Sequence, residues 1–441
     1  MPDLRPRLEK FLGDLIKKFT LNNVDIVAAP VCKEKTEFDR AVKKLEEEGV
    51  DALLTLHLAY SPSLESIESL AKTDLPLIVF DTTPKYDFGT DTTEIALMMN
   101  HGIHGVQDLC NLLKRNNKQY FLVTGFWDKP EVFNRVIGKI NSAYVAGRMR
   151  RSRVGSIGGY FEGMGDFIVD DSDIENFIGT KIIRTKPRDI VELVPRDNDM
   201  AVKKELETDL DFFELDDLTD SVHLNSIKIG LAVRKWIKIN NLTGFTMNFS
   251  RITSRSGFPT IPFLEASKAM ARGTGYAGEG DIITAALVGA LLSLHPETTF
   301  MEMFCPDWKR ETVFLSHMGE MNVNLTQNKP ILTTKKIPFI DIDDPAVAWG
   351  QFKEGKATLI NLSPSRKGFN LIVSPVEMLN RDSAGLGKTV TGWFKPNIPL
   401  EDFLLNFSNF GGTHHSALVY GDRIEEVKIF GEMMGFNVLM I

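Results

Sequence analysis

Between Asp25 and Gly125 the chain alternates short β-branched runs with longer amphipathic stretches: DIVAAPV then Glu37 to Glu48, DALLTLHL then Ser63 to Lys72, LPLIVF then Thr93 to Lys114, and finally QYFLVTG. Two strands that pair in parallel need a crossover of a dozen or so residues between them, and the amphipathic stretches supply it, so the alternation predicts βαβ units around a parallel sheet. Ligands of such sheets meet the carboxyl ends of the strands. Here those ends lead into His57, Ala59 and Tyr60, into Asp81, Thr82 and Thr83, and into Thr124 and Gly125.

A second block follows the basic segment GRMRRSR, with VGSIGGYF as a strand and glycine-rich turn. Further on, the acidic run KKELETDLDFFELDDLTD reads as a solvated surface. A helix over 222–239, a strand over 244–249 and helices over 262–271 and 281–294 continue the α/β theme. From about Thr298 the character changes to short strands (TTFMEMF, ETVFLSH, KATLINLS, FNLIVSP, KTVTGWF) punctuated by Gly, Pro and Asn, which predicts a mainly antiparallel β domain. The expected organisation is therefore α/β: two N-terminal doubly wound domains with parallel sheets, 1–153 and 154–298, and a C-terminal β-rich domain, 299–441.

Composition narrows the function. With 51 basic and 59 acidic side chains the net charge is −8, so there is no overall positive field to attract nucleic acid or an anionic membrane. Cys32, Cys110 and Cys305 are widely spaced and form no CxxC pair, which suggests neither a disulfide framework nor a zinc knuckle. The opening residues mix charge with apolar residues at helical spacing and hold no uninterrupted apolar stretch, so a cytoplasmic location is expected. No GxGxxG opens a helix after an early strand, which argues against a dinucleotide-dependent dehydrogenase.

Four segments place ionisable side chains beside turns or strand ends: GYAGEGD, TFMEMF, FLSHMGE and FGGTHH. Glu279 after a glycine reads in isolation as a helix-start residue. Glu302 lies between two methionines in an apolar run, where an ionised carboxylate is costly unless paired or bound to a cation. His317 ends a strand, and His414 and His415 follow Gly411 and Gly412. Alternation along a strand would point the two histidines to opposite faces, so that only one ligates a given ion. Two carboxylates with two imidazoles suit Mn²⁺ or a similar six-coordinate divalent ion.

Taken in order, these four segments resemble the metal-site framework of the L-arabinose isomerases, within the wider L-arabinose/L-fucose isomerase family. The resemblance implies a metal-dependent aldose–ketose isomerase that acts on a free sugar through an ene-diol. It makes Glu279, Glu302, His317 and His415 the ligands of Mn²⁺, or of Co²⁺ or Mg²⁺, and gives the two glutamates the acid and base roles. Substrate contacts map to His104 in NHGIHGVQDL, Tyr60 in HLAYSP, Met164, Phe249 in FTMNF, and His414. The family further implies a homo-oligomer, a trimer or hexamer, with active sites between subunits. It normally opens with a β-strand and a loop of substrate contacts, whereas this sequence starts almost at its first helix and spaces its motifs more compactly, which leaves L-fucose-type and other deoxy or pentose sugars open beside L-arabinose.

His101 and His104, three apart, are expected to share one face of a helix running from Thr93 to Lys114. Arg251 and Arg255 follow Phe249 and are read first as solvated; turned into the pocket, they would make an anionic sugar, a 6-sulfo or uronic aldose, the alternative substrate. A non-catalytic sugar-binding or sensing protein is the alternative from outside enzymology, and it has no use for the Glu/Glu/His/His set.

Overall fold

The computed structural model describes residues 4–89, 92–381 and 384–441. The chain divides into two compact units, one ending at Tyr144 and the other beginning at Val145.

In the first unit β1 (Leu53–Leu56), β2 (Leu77–Asp81) and β3 (Phe121–Thr124) form a parallel sheet in that order. Strand β2 is buried along its length, as a central parallel strand covered on both faces must be. Phe80 packs on one side with Phe11, Leu15 and Phe19 of the helix Leu4–Leu21, and Leu77 and Val79 pack on the other with Val106, Leu109 and Leu113. DIVAAPV departs from expectation, since it pairs with no described strand. Val24 and Ile26 still rest against the Phe80 cluster while Asp25 and Val27 face solvent. The segment thus keeps a strand's alternation without a ladder, and Pro30 lacks the N–H a ladder would use.

The helix expected from Thr93 to Lys114 is two helices, Glu94–Met99 and Gly102–Arg115. Asn100 ends the first, with its backbone N–H and its side-chain amide both donating to Ala96 O, at 3.2 and 2.7 Å, a local competition with helical bonding that suits Asn at a terminus. Gly102 starts the second where a Cβ would stand 2.4 Å from His57 O.

In the second unit β4 (Arg153–Ile157), β5 (Lys181–Thr185), β6 (Glu214–Leu215), β7 (Gly244–Met247) and β8 (Gly275–Gly278) precede Thr298. They are followed by β9 (Thr298–Asp307), β10 (Thr312–Ser316), β11 (Ile331–Thr334), β12 (Ala346–Trp349), β13 (Gly355–Ser365), β14 (Gly368–Met378), β15 (Gly392–Pro396), β16 (His415–Tyr420) and β17 (Asn437–Met440). The order β5-β4-β7-β8 is wholly parallel. The chain crosses from one side of β4 to the other after β5, which makes the carboxyl ends of β4 and β7 a topological switch point.

Beyond Thr298 the strands run β13-β16-β9-β10-β15-β14, and β14 returns to β13, closing an antiparallel barrel to which β17 adds in parallel. Closure removes free edges from the ring. The apolar helix Ile282–Leu292 is buried at every position because it packs against β7 and β8 on one side and β9 and β16 on the other; no described helix is long and apolar enough to cross a membrane.

The acidic run also corrects expectation. Its first part lies in the helix Met200–Phe212, and two carboxylates there point inward. Glu205 pairs with Arg234 and Lys268, while Asp209, fully buried, accepts from Lys268 and lies 3.0 Å from His223 Nε2. Glu265, also buried, completes the network with Arg234 and Arg272. Buried carboxylates survive only with such partners.

Candidate active site

The four segments singled out in the sequence converge. Antiparallel pairing sets His415 of β16 directly opposite Glu302 of β9, and the other neighbour of Glu302 is Ser316, the residue before His317. Glu279 follows β8 at the carboxyl edge of the parallel sheet. It adopts a left-handed conformation, φ 63°, beside Gly280 at φ 92°, and non-glycine residues hold this conformation at a cost that recurs in functional sites. A side chain at Gly280 would stand 2.4 Å from Gly159 O.

Two overlapping groups of ligand atoms result: Glu302 with His317 and His415, and Glu279 with His414 and His415. His317 Nε2 lies 4.0 Å from Glu302 Oε2, and His415 Nε2 lies 3.5 Å from Glu279 Oε2. The expectation that His414 and His415 face apart is overturned. Their ring centroids are 4.1 Å apart, and both imidazoles reach Glu279, because β16 begins at His415 and strand alternation does not extend to His414.

A set of acidic side chains that sequence reasoning missed holds the three imidazoles. Glu320 Oε2 lies 2.7 Å from His317 Nδ1, Asp281 Oδ2 lies 3.0 Å from His415 Nδ1, and Asp166 Oδ2 lies 2.7 Å from His414 Nδ1. Each carboxylate accepts a hydrogen bond from an Nδ1–H, and at His317 and His415 this leaves Nε2 turned toward Glu302 and Glu279, the arrangement in which histidines ligate metal ions. Further bonds fix these acceptors: Tyr276 donates to Glu320 Oε1 at 2.8 Å, and Asp281 Oδ1 caps the helix Ile282–Leu292 by accepting from Thr284 N at 2.9 Å. Asp281 and Glu320 stand inside the quoted segments GYAGEGD and SHMGE, but nothing in spacing tells which carboxylate ligates and which supports. Asp166 lies far away in sequence and carries no such signal. Phe167 stacks on His415 with rings 8° from parallel, and Phe300 meets His317 and His415 edge-on.

These surroundings separate the two glutamates. Burial would raise the Glu279 carboxyl, but the imidazoles of His414 and His415 beside it outweigh burial and bring it down to about 2. At Glu302 burial prevails over the nearby histidines, and the carboxyl is raised. Burial opposes charge on His415, yet Asp281 and Glu279 lift it to about 9. The cluster therefore draws positive charge into a buried place. A divalent cation fits this donor set: His415 Nε2 is buried with no hydrogen-bond partner among the described residues, and oxygen and imidazole ligands converge on it.

The remaining candidates distribute between the units. Phe249 is buried between Phe161 and Phe263 in the second unit, and Met164 is half-buried in the loop after β4. Tyr60 and His104 belong to the first unit, with ring centroids 4.8 Å apart. His101 caps the second helix piece rather than sharing a continuous helix, yet its Nε2 still lies 3.2 Å from His104 Nδ1. Arg251 pairs with the exposed Glu162, and Arg255 is exposed.

Comparison with known proteins matches three family models: the L-arabinose isomerase N-terminal domain over residues 9–151, its central domain over 170–295 and its C-terminal domain over 297–437. An L-arabinose isomerase of Oceanobacillus iheyensis is 25% identical over 89% of this chain and 85% of its own length. L-arabinose isomerase 1 of Bacillus licheniformis is 25% identical over 92% and 84%, and the L-arabinose isomerase of Geobacillus thermodenitrificans 25% over 87% and 79%.

Proposed function

The chain belongs to the L-arabinose isomerase family, and from that membership we propose that it interconverts an aldose and its ketose at the Glu279/Glu302/His317/His415 centre. The observation that supports the reading is the pair of overlapping triads, Glu302 with His317 and His415 and Glu279 with His414 and His415, that share His415, whose Nε2 is buried without a hydrogen-bond partner among the described residues.

Isomerisation needs a proton removed from C2 of the open-chain aldose and one delivered to C1, with an ene-diol between. Glu279, kept ionised by His414 and His415, is the base that takes the C2 proton. Glu302, whose carboxyl is raised by burial, is assigned the acid role. Two carboxyls pushed apart in this way divide acid from base. Glu279, Glu302, His317 and His415 would hold the divalent cation, proposed as Mn²⁺, which supplies Lewis-acid polarisation of the sugar's carbonyl and adjacent hydroxyl oxygens. Phe249, Met164 and His414 line the sugar's place in the second unit. A homo-oligomer that shares active sites between subunits is part of the same proposal.

With Arg251 engaged by Glu162 and Arg255 in solvent, no observation favours an anionic sugar. The test is ketose formation by metal-stripped protein with and without Mn²⁺ from L-arabinose, L-fucose, D-galactose and a 6-sulfonated hexose. Mn²⁺-dependent conversion of one of them is expected. Glu279→Gln and Glu302→Gln should each remove turnover while leaving the protein folded, and activity near that of the unmodified protein in either variant would sink the mechanism.

A further inference from the structure

Among the three histidines of the centre, His414 is held differently from the others. His317 and His415 are buried, and each has its Nδ1 held by a buried carboxylate. His414 is part-exposed, and its partner Asp166 lies on the exposed loop after β4, 248 positions away in sequence. One oxygen of Asp166 receives two donors from the same residue, the His414 backbone N–H at 3.0 Å and Nδ1 at 2.7 Å. A side chain tied through both its own backbone and its own ring has little torsional freedom left. The ring's other nitrogen then falls 3.3 Å from Glu279 Oε2.

The loop is itself anchored at several points. Phe161 N donates to Glu279 O, Asn248 Nδ2 donates to Tyr160 O, and Phe167, next to Asp166, lies flat on His415. Asp166 therefore stands on a segment fastened to the same glutamate that its histidine faces.

We propose that Asp166 is a positioning residue for the reaction. By accepting from both the backbone N–H and the ring Nδ1 of His414 it fixes the ring with Nε2 turned to Glu279, so that His414 acts on Glu279 and on the sugar without ligating the cation. The inference rests on the isomerase reading for its kinetic consequence, but its structural content can be read without turnover.

The experiment compares unmodified protein with Asp166→Asn and Asp166→Glu, in each case with and without Mn²⁺ or Zn²⁺. Three quantities are followed: Mn²⁺ affinity by titration, the tautomer of His414 by ¹⁵N–¹H NMR of histidine-labelled protein with diamagnetic Zn²⁺, and, on the sugar that the panel identifies, kcat and KM separately. Asp166→Asn should leave Mn²⁺ affinity within about twofold, move the His414 signals away from the Nδ1–H tautomer, and lower kcat roughly 10- to 100-fold, the range seen when an orienting partner is lost. Asp166→Glu should recover part of both the tautomer and kcat. Unchanged His414 signals in Asp166→Asn would overturn the proposal even if no sugar on the panel reacts, whereas an inactive panel with the expected signals would count against the isomerase reading alone. A parallel loss of Mn²⁺ affinity would overturn it differently, by making His414 a ligand.

Discussion

At the scale of single residues, the centre depends on side chains that touch no substrate. Glu320 fixes His317 and is in turn held by the fully buried Tyr276. Glu320→Gln is expected to weaken Mn²⁺ binding roughly 10- to 100-fold, measurable by competitive titration, and Tyr276→Phe should produce a smaller loss in the same direction. Gly280→Ala adds a Cβ 2.4 Å from Gly159 O and 2.7 Å from Tyr160 Cα, at a φ of 92°, and should cost about 1–3 kcal/mol in denaturant unfolding. The ionisable residues of the centre were legible because glutamates and histidines flanked by glycines at strand ends are conspicuous. The carboxylates behind them were not, because Asp166, Asp281 and Glu320 become partners of particular histidines only through tertiary contact. The mistaken separation of His414 from His415 has a local cause: alternation was applied one residue before the strand starts.

At the scale of elements, Asp281 joins helix and site. One of its oxygens caps Ile282–Leu292 and the other holds His415. Asp281→Ala should lower stability by about 0.5–2 kcal/mol through the lost cap and weaken Mn²⁺ binding as well. Asp281→Ser, able to cap but too short to do both, should restore most of the stability and little of the affinity; recovery of both would show that the two roles are not joined in one side chain. Several elements could be read from periodicity, since β2 is a nearly continuous apolar run and the helix Leu4–Leu21 buries Leu8, Phe11, Leu15 and Phe19 at helical spacing. DIVAAPV misled because its alternation reports half-burial, which it has, and not pairing, which it lacks. The break at Asn100 misled because the helical pattern resumes in nearly the same phase, and only the side chain's bond back to Ala96 marks the stop.

At the scale of the whole molecule, the buried Glu205, Asp209, Glu265 and Lys268, with the half-buried Arg234 and the exposed Arg272, tie three helices of the second unit. Burial opposes the charge on Glu205, but Arg234 and Lys268 bring its carboxyl down to about 2, below its ordinary 4.5. A carboxylate depressed in this way contributes stability that is complete above the unfolded value and is lost as pH falls from about 4.5 toward 2. Acid unfolding should therefore steepen across that window, and Glu205→Gln should flatten it while lowering stability at neutral pH, as followed by far-UV circular dichroism. Mn²⁺ at one hundred times its dissociation constant should raise the unfolding free energy of the second unit by about 2.7 kcal/mol if it binds only the folded form, and metal-site variants should lose that gain.

The register of the closed barrel has a last consequence. Glu302 and His415 are direct cross-strand partners, and such partners keep a separation dictated by the backbone lattice, about 5 Å between their Cα atoms. The gauge of this part of the proposed cation seat is thus cut into hydrogen-bonded strands, while the segments proposed to meet the sugar, after β4 and after β7, lie outside the strands. On the proposed reading, chemistry and selectivity are written in different materials, so substitutions in the loops after β4 and β7 should change the choice of sugar while the cross-strand spacing of Glu302 and His415 stays as it is.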